Sequence, residues 1–293
     1  MSLFSHSMQN ADERNYTFHL FEKMITSGAV KVLIASLFIS RTSAFSTRVS
    51  KIGTRMTRSN NALQSSTNPL TDLNLPSPLI LGSGSFTRKL ILKEMNIPFE
   101  IKTRSIDERA IGDRTRGSNP KELVLTLGKA KADHLVQGLM DESEEDETLK
   151  LPHNGQEWIV LTADQVVTHS GSILEKPDDL DQAKDFVSRY ASSPPSTVGS
   201  VVLTHLPSLI QVSGVDSSQI NFTPSVSECN LIERLVEEGA PVLKCAGGLM
   251  VEHPLVKEHI KGIDGTEDSV MGLSKSLVIR LLEELKEKLQ KEN

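Results

Sequence analysis

The chain has 293 residues, a formal net charge of -6 at pH 7 and a pI of about 5.8. This length suffices for one large domain or two small ones. Binding to nucleic acid needs a basic surface, so the acidic balance argues against nucleic acid as the main partner. The two cysteines do not make a disulfide framework, and reduced surroundings are expected.

The first 75 residues differ in composition from the rest, being rich in Ser, Thr, Asn and Arg. Their apolar run at 32–39 is too short to span a bilayer, which needs about 20 residues. It has the length of a signal-peptide core, with Ser43 and Ala44 before a plausible cleavage point. Residues 46–66 are basic and lack acidic residues, as organelle transit peptides do.

Such a bipartite leader is typical of proteins delivered to plastids bounded by extra membranes, so the sequence predicts a plastid location. Because 23 residues precede Met24, two alternatives stay open. Either Met24 is the working start, or the whole leader is a disordered tail and the protein is cytoplasmic. In both cases we exclude residues 1–75 from the fold and expect one domain over residues 76–293.

The folded part opens with a predicted strand, tight turn and helix. Residues 79–81 are apolar, Gly82 to Ser85 form the turn, and a basic amphipathic segment follows with Arg88 in its first turn. A helix N-terminus offers unpaired N–H groups that Ser83 or Ser85 can cap, and Arg88 adds a charged fork for phosphate oxygens. The stretch predicts a phosphate site, and an ordinary capped turn is the alternative.

A short strand at 99–101 leads towards Glu108 and then into a long helix. The helix is predicted from residue 120 to about 140, because a proline suits its first position and apolar residues recur at helical spacing. Lys131 lies on this helix. The acidic run at 141–147 predicts a solvated loop.

Residues 158–163 form a continuous apolar run, which predicts a strand buried on both faces and ending at Asp164. A carboxylate at the C-terminal end of such a strand stands where ligands bind in α/β sheets. A turn and short strand then end before Lys176, and an amphipathic helix is predicted at 179–190.

The remaining chain is predicted as three strands, a helix, a glycine-marked segment and a final helix. These elements are expected at residues 197–205, 209–215 and 217–222, at 226–238, at 246–254 and at 273–291. Alternation of strands and helices followed by clustered strands indicates an α/β fold with a mixed central sheet.

The candidate functional residues are a phosphate-binding turn, two lysines and several carboxylates. They are Ser83, Ser85 and Arg88; Lys131 and Lys176; and Asp107, Glu108 and Asp164. A magnesium ion held by one or two carboxylates and by the substrate's own phosphates would join these groups. Hydrolysis would need water, a carboxylate to deprotonate it and cations to hold the charge.

Each of these candidates has a simpler alternative. Asp107 and Glu108 can be solvated turn residues, and Lys176 can be plain surface. The alternative is weakest for Asp164, since an unpartnered carboxylate after a buried strand costs free energy. The eight histidines fit no zinc-binding pattern, no GxSxG is present, and neither cysteine has a paired base in sight.

Eight motifs follow one another in a characteristic order. They read Leu-Gly-Ser83-Gly-Ser85-Phe-Thr-Arg88-Lys89, Ile106-Asp107-Glu108, Leu127-Gly-Lys-Ala-Lys131-Ala132, Thr162-Ala-Asp164-Gln165-Val166-Val167, Glu175-Lys176-Pro177, Val198-Gly199-Ser200-Val201, Ala246-Gly-Gly-Leu-Met-Val-Glu-His253-Pro254 and Gly265-Thr-Glu-Asp-Ser-Val-Met-Gly272-Leu273. Over about residues 79–285 the chain resembles the Maf family of nucleoside triphosphate pyrophosphatases, in its plant Maf-like form.

The resemblance implies a fold similar to inosine triphosphate pyrophosphatase, an elongated α/β protein with a cleft between two lobes, often a homodimer. The implied activity is hydrolysis between the α- and β-phosphates of a nucleoside triphosphate, with Mg²⁺ or Mn²⁺. Its implied role is to remove surplus or non-standard pyrimidine nucleotides, with neither nucleic acid nor membrane as partner. The alternative is a nucleotide-binding regulator, since the family is also known as septum formation inhibitors.

The resemblance also assigns roles to residues. Asp164 matches the proton acceptor and, together with Glu108, a metal ligand. The residues that match substrate-binding positions are Ser83, Ser85, Arg88, Lys131 and Lys176.

Several positions depart from the family pattern. Phe86 and Thr87 replace a proline and an arginine, which removes a charge-assisted phosphate contact of about 1.5–3 kcal/mol for which Lys89 can partly compensate. Glu252 stands near the place of a glutamine, and Ser274 replaces a proline. The preferred base is therefore open.

Overall fold

The computed structural model describes residues 67–145 and 157–292, which form a mixed α/β fold around one seven-stranded sheet. The predicted leader up to residue 66 lies outside the described residues, so that it stays a prediction. Among the described residues, no helix is both long enough and apolar enough to cross a membrane.

The strands and helices are numbered in chain order. The strands are β1 Leu79–Leu81, β2 Phe99–Ile101, β3 Trp158–His169, β4 Ser172–Leu174, β5 Ser196–Leu206, β6 Gln211–Phe222 and β7 Ile260–Asp264. The helices are α1 Pro69–Asp72, α2 Phe86–Glu94, α3 Pro120–Glu145, α4 Leu180–Arg189, α5 Leu231–Glu237, α6 Pro254–Lys257, α7 Glu267–Val270 and α8 Lys275–Glu292. Short 3-10 turns occupy Glu108–Ala110, Pro224–Ser227, Val242–Lys244 and Ala246–Gly248.

The sheet has the order β2-β1-β3-β5-β6-β7, and β4 pairs with β3. Strand β1 runs parallel to both β2 and β3, whereas all other pairs are antiparallel. The sheet is therefore mixed, and the predicted α/β class is confirmed. The cleft between two lobes that the resemblance implies stays a prediction.

Helices cover both faces of the central strands. Leu79 and Leu81 join a core cluster with residues of α2 and α8, whereas Ile80 between them packs with Leu135 of α3. Successive strand residues point to opposite faces, so an apolar residue is needed at every position when both faces are covered. This explains the continuous apolar runs of β1 and of residues 159–161 in β3.

Strand β3 is longer than its apolar run. It continues through residues 165–169, which pair with β4 and β5, so Asp164 lies within the strand rather than at its end. The predicted strand end was therefore wrong. The extension was missed because the apolar run ends before it, and it is ordered by pairing with two neighbouring strands instead.

Three other boundaries differ from the prediction. Residues 141–145 continue helix α3, although their like charges suggested a loop. Strand β6 is one strand through residues 211–222 instead of two, because β5 pairs with it along most of this length. Helix α5 begins at Leu231 rather than at residue 226, since Pro224–Ser227 forms a separate 3-10 turn.

The folded part also begins earlier than residue 76. The side chain of Asn68 caps α1, and Leu70 within α1 is 0 % exposed in the main core cluster. Helices α6 and α7 and strand β7 were likewise not predicted. Each of these elements is too short for periodicity to be visible, and tertiary contacts stabilise it instead.

The burial of Leu70 predicts that α1 contributes to the stability of the fold. Leu70→Ala in the full chain should lower the free energy of unfolding by about 2–5 kcal/mol, because it leaves a cavity in the core. Urea unfolding measures this change. The matched control is Thr71→Ala on the exposed side of α1, which should change stability by less than about 0.5 kcal/mol. Equal effects of the two variants would contradict the role of α1.

Candidate active site

The predicted strand, turn and helix around the phosphate-binding turn are present. Strand β1 ends at Leu81, and Ser85 caps α2 with its hydroxyl, which accepts from the backbone N–H of Arg88 at 3.5 Å. The Ser83 hydroxyl accepts from the backbone N–H of Ser85 at 3.2 Å, and the Ser85 and Thr87 hydroxyls lie 2.9 Å apart. Both serines are therefore fixed in the turn by short local bonds.

Gly82 lets this turn approach its neighbours. A Cβ atom at this position would lie 2.7 Å from a methyl carbon of Thr162 on β3 and 2.8 Å from one of Leu135 on α3. Gly82 is thus required because the turn packs closely against side chains of β3 and α3. A Cβ at Gly84, by contrast, would meet nothing within 4 Å among the described residues.

Arg88 joins three segments of the site. Its Nη1 donates to the Ser83 hydroxyl at 3.1 Å and to the Ala163 carbonyl at 3.0 Å, and its Nε donates to the Gly272 carbonyl at 3.0 Å. Burial lowers the pKa of Arg88, and the charges of Asp164 and Glu108 act in the opposite direction. The guanidinium stays charged, because its pKa in proteins remains far above neutral pH.

Lys131 bridges two carboxylates. Its Nζ lies 2.5 Å from Asp164 Oδ1 and 2.9 Å from Glu108 Oε1. Asp164 is only 6 % exposed, whereas the side chain of Glu108 is 41 % exposed. Three candidates that lie far apart in the sequence thus meet at one point.

The two carboxylates are tuned in opposite directions. Burial raises the pKa of Asp164, although Lys131 and Arg88 partly offset this effect. Burial also acts to raise the pKa of Glu108, but its hydrogen bond with Lys131 and the charges of Lys131, Lys176 and Arg88 hold that pKa below its usual range. Glu108 is therefore ionised at neutral pH, whereas the pKa of Asp164 lies above the usual value for an aspartate.

Helix α3 lies directly on strands β3 and β5, which brings Lys131 to Asp164. The Thr162 hydroxyl donates to the Gly128 carbonyl at 2.8 Å, and the Ser200 hydroxyl donates to the Val124 carbonyl at 2.6 Å. Ser200 also accepts from the backbone N–H of Asp164 at 3.3 Å. A Cβ at Gly128 would stand 2.7 Å from the Ser200 hydroxyl oxygen, so only glycine permits this close contact.

Lys176 follows β4 and is exposed at the edge of this group. Its charge acts on Glu108, which places it within electrostatic range of the carboxylates. The preceding residue, Glu175, accepts with its backbone carbonyl from the N–H of Gly247 at 3.0 Å. The structure thus brings seven of the eight candidates together, with Lys176 as the outermost. The eighth, Asp107, is exposed and directly precedes the turn of Glu108.

Two supporting residues were missed by the sequence analysis. Arg114 donates from Nε to Glu175 Oε2 at 2.7 Å and from Nη2 to the Glu108 carbonyl at 2.7 Å, so it ties the turn of Glu108 to the segment of Lys176. Gln165 donates from Nε2 to the carbonyls of Ser269 and Val270 at 3.1 and 2.9 Å. Gln165 could have been suspected from its place beside Asp164, but no local pattern marks Arg114.

Comparisons with known proteins identify the family of this chain. The family model described as Maf-like protein matches residues 78–285. The chain belongs to the Maf family. This match covers the phosphate-binding turn, Glu108, Lys131, Asp164 and Lys176.

Several curated Maf-type relatives are similar over most of their own length. One is the 7-methyl-GTP pyrophosphatase of Dictyostelium discoideum, 32% identical over 208 residues, which are 71% of this chain and 97% of the relative. Another is the dTTP/UTP pyrophosphatase of Salinibacter ruber, 28% identical over 210 residues, or 72% and 92% of the two chains. A nucleoside triphosphate pyrophosphatase of Synechococcus is 30% identical over 200 residues, or 67% and 96%.

The bridge made by Lys131 predicts how the two carboxylates titrate. Lys131→Met removes the positive charge and the hydrogen bonds, so the pKa values of Glu108 and Asp164 should both rise. A ¹³C NMR titration of the side-chain carboxyl groups measures them. Lys129→Met, exposed on the same helix, is the control and should leave both values unchanged. An unchanged Glu108 pKa in Lys131→Met would contradict the bridge.

Proposed function

We propose that this chain hydrolyses a nucleoside triphosphate between its α- and β-phosphates, with Asp164 accepting the proton of the attacking water. Its relatives are named as pyrophosphatases, and the predicted class, a nucleoside triphosphate pyrophosphatase and therefore a hydrolase, is confirmed by membership of the family. One observation supports the roles that we assign to the residues. Asp164 is buried, contacts Lys131 and lies beside Arg88 and the phosphate-binding turn.

The phosphate-binding turn supplies donors for the triphosphate. Ser83, Ser85 and the N-terminus of α2 present hydroxyl and backbone N–H groups to an anion. Arg88 is held by its Nε and Nη1, and its Nη2 has no hydrogen bond to any residue that the structure describes, so this group is available for a phosphate oxygen. Lys131, which contacts Glu108, and Lys176, whose charge acts on Glu108, add further positive charge to the site.

The carboxylates suit a divalent cation that arrives with its substrate. Within the described ranges, no group of three or more His, Cys, Asp or Glu side chains is arranged to hold a metal ion by itself. Mg²⁺ is usually bound by one or two carboxylates plus substrate phosphates, and Glu108 and Asp164 meet at a single ammonium group. These two residues would hold Mg²⁺ or Mn²⁺, which would neutralise phosphate charge.

Asp164 is suited to receive a proton. A general base works best when its pKa lies close to the working pH, and burial raises the pKa of this carboxyl. Water loses its proton to Asp164 and attacks one of the two phosphorus atoms. The bond between that phosphorus and the oxygen that bridges the α- and β-phosphates breaks. The products are a nucleoside monophosphate and pyrophosphate, and Arg88 and the lysines hold the charge that spreads over the oxygens.

The alternative of a regulator that binds nucleotides without hydrolysis has no observation in its favour. Such a protein needs no buried carboxylate with a raised pKa beside its phosphate site. The family's other name, septum formation inhibitors, and the loss of an arginine at Thr87 are the reasons to consider it. The Thr87 hydroxyl instead bonds to Ser85 and helps to fix the turn.

The role of Asp164 predicts a specific defect. Asp164→Asn should lower the rate of pyrophosphate release by about 10²–10⁴-fold, because an amide cannot accept the proton. Binding of a non-hydrolysable α,β-methylene nucleotide should remain, since Ser83 and Arg88 are intact; calorimetry measures it. Asp133→Asn, exposed on α3, is the matched control and should keep full activity. Unchanged turnover in Asp164→Asn would overturn the mechanism.

We propose further that the preferred base is 7-methylguanine, with pyrimidines as the runner-up. Glu252 is half-buried, and burial raises its pKa; no side chain in the described part of the chain donates a hydrogen bond to it. It lies near the triphosphate lysine, because the charges of Glu252 and Lys176 both act on Cys245. N7-methylation makes guanine cationic, and a carboxylate can accept from two of its N–H groups, whereas uracil and thymine are neutral.

A substrate panel with Glu252→Gln tests this preference. The native chain should hydrolyse 7-methyl-GTP with a higher kcat/KM than dTTP or UTP, and Glu252→Gln should reduce that advantage about 10- to 100-fold. Glu258→Gln, an exposed neighbour, is the control and should not change the ranking. Higher kcat/KM for dTTP and UTP in the native chain would reject 7-methylguanine without affecting the pyrophosphatase itself.

Assembly and location rest on the resemblance and on the leader. We propose a homodimer with neither nucleic acid nor membrane as partner, which sedimentation velocity would test by mass. We also propose plastid delivery by residues 1–75, with the cytoplasm as the alternative. The location of a fluorescent protein fused to these residues distinguishes the two.

A further inference from the structure

A second cluster of reactive side chains lies outside the pyrophosphatase site. The Cys229 thiol is half-buried, and its Sγ lies 3.4 Å from Nε2 of His259, which is 7 % exposed. The other ring nitrogen of His259, Nδ1, is 2.8 Å from the Ser225 hydroxyl. The Ser225 hydroxyl is in turn 2.8 Å from the Thr223 hydroxyl, which donates to the His259 carbonyl at 3.2 Å.

The carbonyl at one end of this chain fixes the direction of every hydrogen bond. A carbonyl only accepts, so the single hydroxyl proton of Thr223 points to the His259 oxygen. The Ser225 hydroxyl must then donate to Thr223, and its oxygen must accept from Nδ1–H of His259. Neutral His259 therefore carries its proton on Nδ1, and the lone pair of Nε2 faces the thiol.

This arrangement is that of a nucleophile, a base and groups that orient the base. A thiol is activated when a base in hydrogen-bond contact can take its proton, and the base acts well when a third group holds its ring. Cys229 supplies the nucleophile, His259 the base, and Ser225 and Thr223 hold the ring. None of these four residues contacts the phosphate-binding turn, Lys131 or Asp164 through a hydrogen bond that the structure describes.

The second cysteine of the chain lacks these features. Cys245 donates from Sγ to the Pro241 carbonyl at 3.5 Å, so its thiol proton faces an acceptor that cannot remove it. Burial raises the pKa of the Cys245 thiol to about 12. Since the thiolate is the reactive form, Cys245 serves as an unreactive reference within the same molecule.

We propose that Cys229 is a nucleophilic thiol that small hydroperoxides oxidise to a sulfenic acid, with His259 as its base and Ser225 and Thr223 as positioning residues. His259 Nε2 takes the thiol proton, and the thiolate attacks the terminal oxygen of the hydroperoxide. A sulfur–oxygen bond forms as the oxygen–oxygen bond breaks, and the leaving oxygen takes the proton from His259. For hydrogen peroxide the products are the sulfenic acid and water, so sulfur is oxidised by two electrons and peroxide is reduced. A small neutral oxidant suits a thiol that is only partly exposed.

Trapping of the sulfenic acid in the full chain tests the proposal. The native protein is treated with dilute hydrogen peroxide and dimedone, and both cysteines are quantified by mass spectrometry over time. Cys229 should be labelled at least about tenfold faster than Cys245 in the folded protein, and the two should react at similar rates in urea. Cys229→Ser should abolish the faster label.

Variants of the base and its support separate this proposal from simple exposure. His259→Asn and Ser225→Ala should each slow labelling of Cys229 by about tenfold or more, because they remove or misorient the base. Ser225→Thr keeps the hydroxyl and should restore most of the rate, and circular dichroism shows which variants are folded. Equal labelling of Cys229 in the native protein and in folded Ser225→Ala would overturn the role of the relay. Labelling of Cys229 no faster than Cys245 in the native protein would overturn the proposal itself.

Discussion

The site depends on one ammonium group placed between two carboxylates. Asp164 is buried within strand β3, and an unpaired charge there would cost several kcal/mol. Lys131 offsets this cost by its ion pair with Asp164, and its second ion pair holds Glu108. The contact with Lys131 does not bring the pKa of Asp164 down to its usual value, because burial still raises it. A group that is stable yet basic is what proton transfer from water requires.

Around this centre, long polar side chains fasten loops by bonding to backbone carbonyls. Arg88 reaches the carbonyls of Ala163 and Gly272, Gln165 reaches those of Ser269 and Val270, and Arg114 reaches that of Glu108. A carbonyl is present whatever the side chain, so such bonds fix the course of a loop without restricting its sequence. The segment that carries Gly272 is thereby held against strand β3, although it lies more than a hundred residues away in the chain.

Hydrogen bonds to a backbone carbonyl also organise the thiol cluster, although the side chains differ. There a carbonyl and two hydroxyls determine on which nitrogen His259 carries its proton. No sequence pattern indicates this base, since Cys229 and His259 are thirty residues apart and meet only where the segment after β6 approaches the turn between α6 and β7. The pyrophosphatase centre and the thiol cluster thus both arise from tertiary contacts between residues that lie far apart in the sequence.

The sequence by itself determined the class of fold and the strand, turn and helix around Ser83 and Ser85, and it supplied seven candidates that the structure brings together. Apolar runs, caps and turn residues are local signals, and the ordered motifs carried the resemblance to the family. Local signals also placed the five longest helices, although the end of α3 and the start of α5 differ from the prediction. Local signals failed at residues 165–169, where the strand is extended by pairing, and at α1, which is stabilised by the burial of Leu70.

Only the tertiary structure decided how the site residues differ in chemistry. Asp164 and Glu108 are both ordinary carboxylates in the sequence. Their pKa values shift in opposite directions because Asp164 is enclosed by the sheet and α3, whereas Glu108 is partly exposed among three cations. Arg114 and His259 acquire their roles in the same way, from partners that chain folding brings within hydrogen-bond distance. The burial of a side chain and the charges around it depend on the whole fold. A local pattern of residues therefore cannot reveal them.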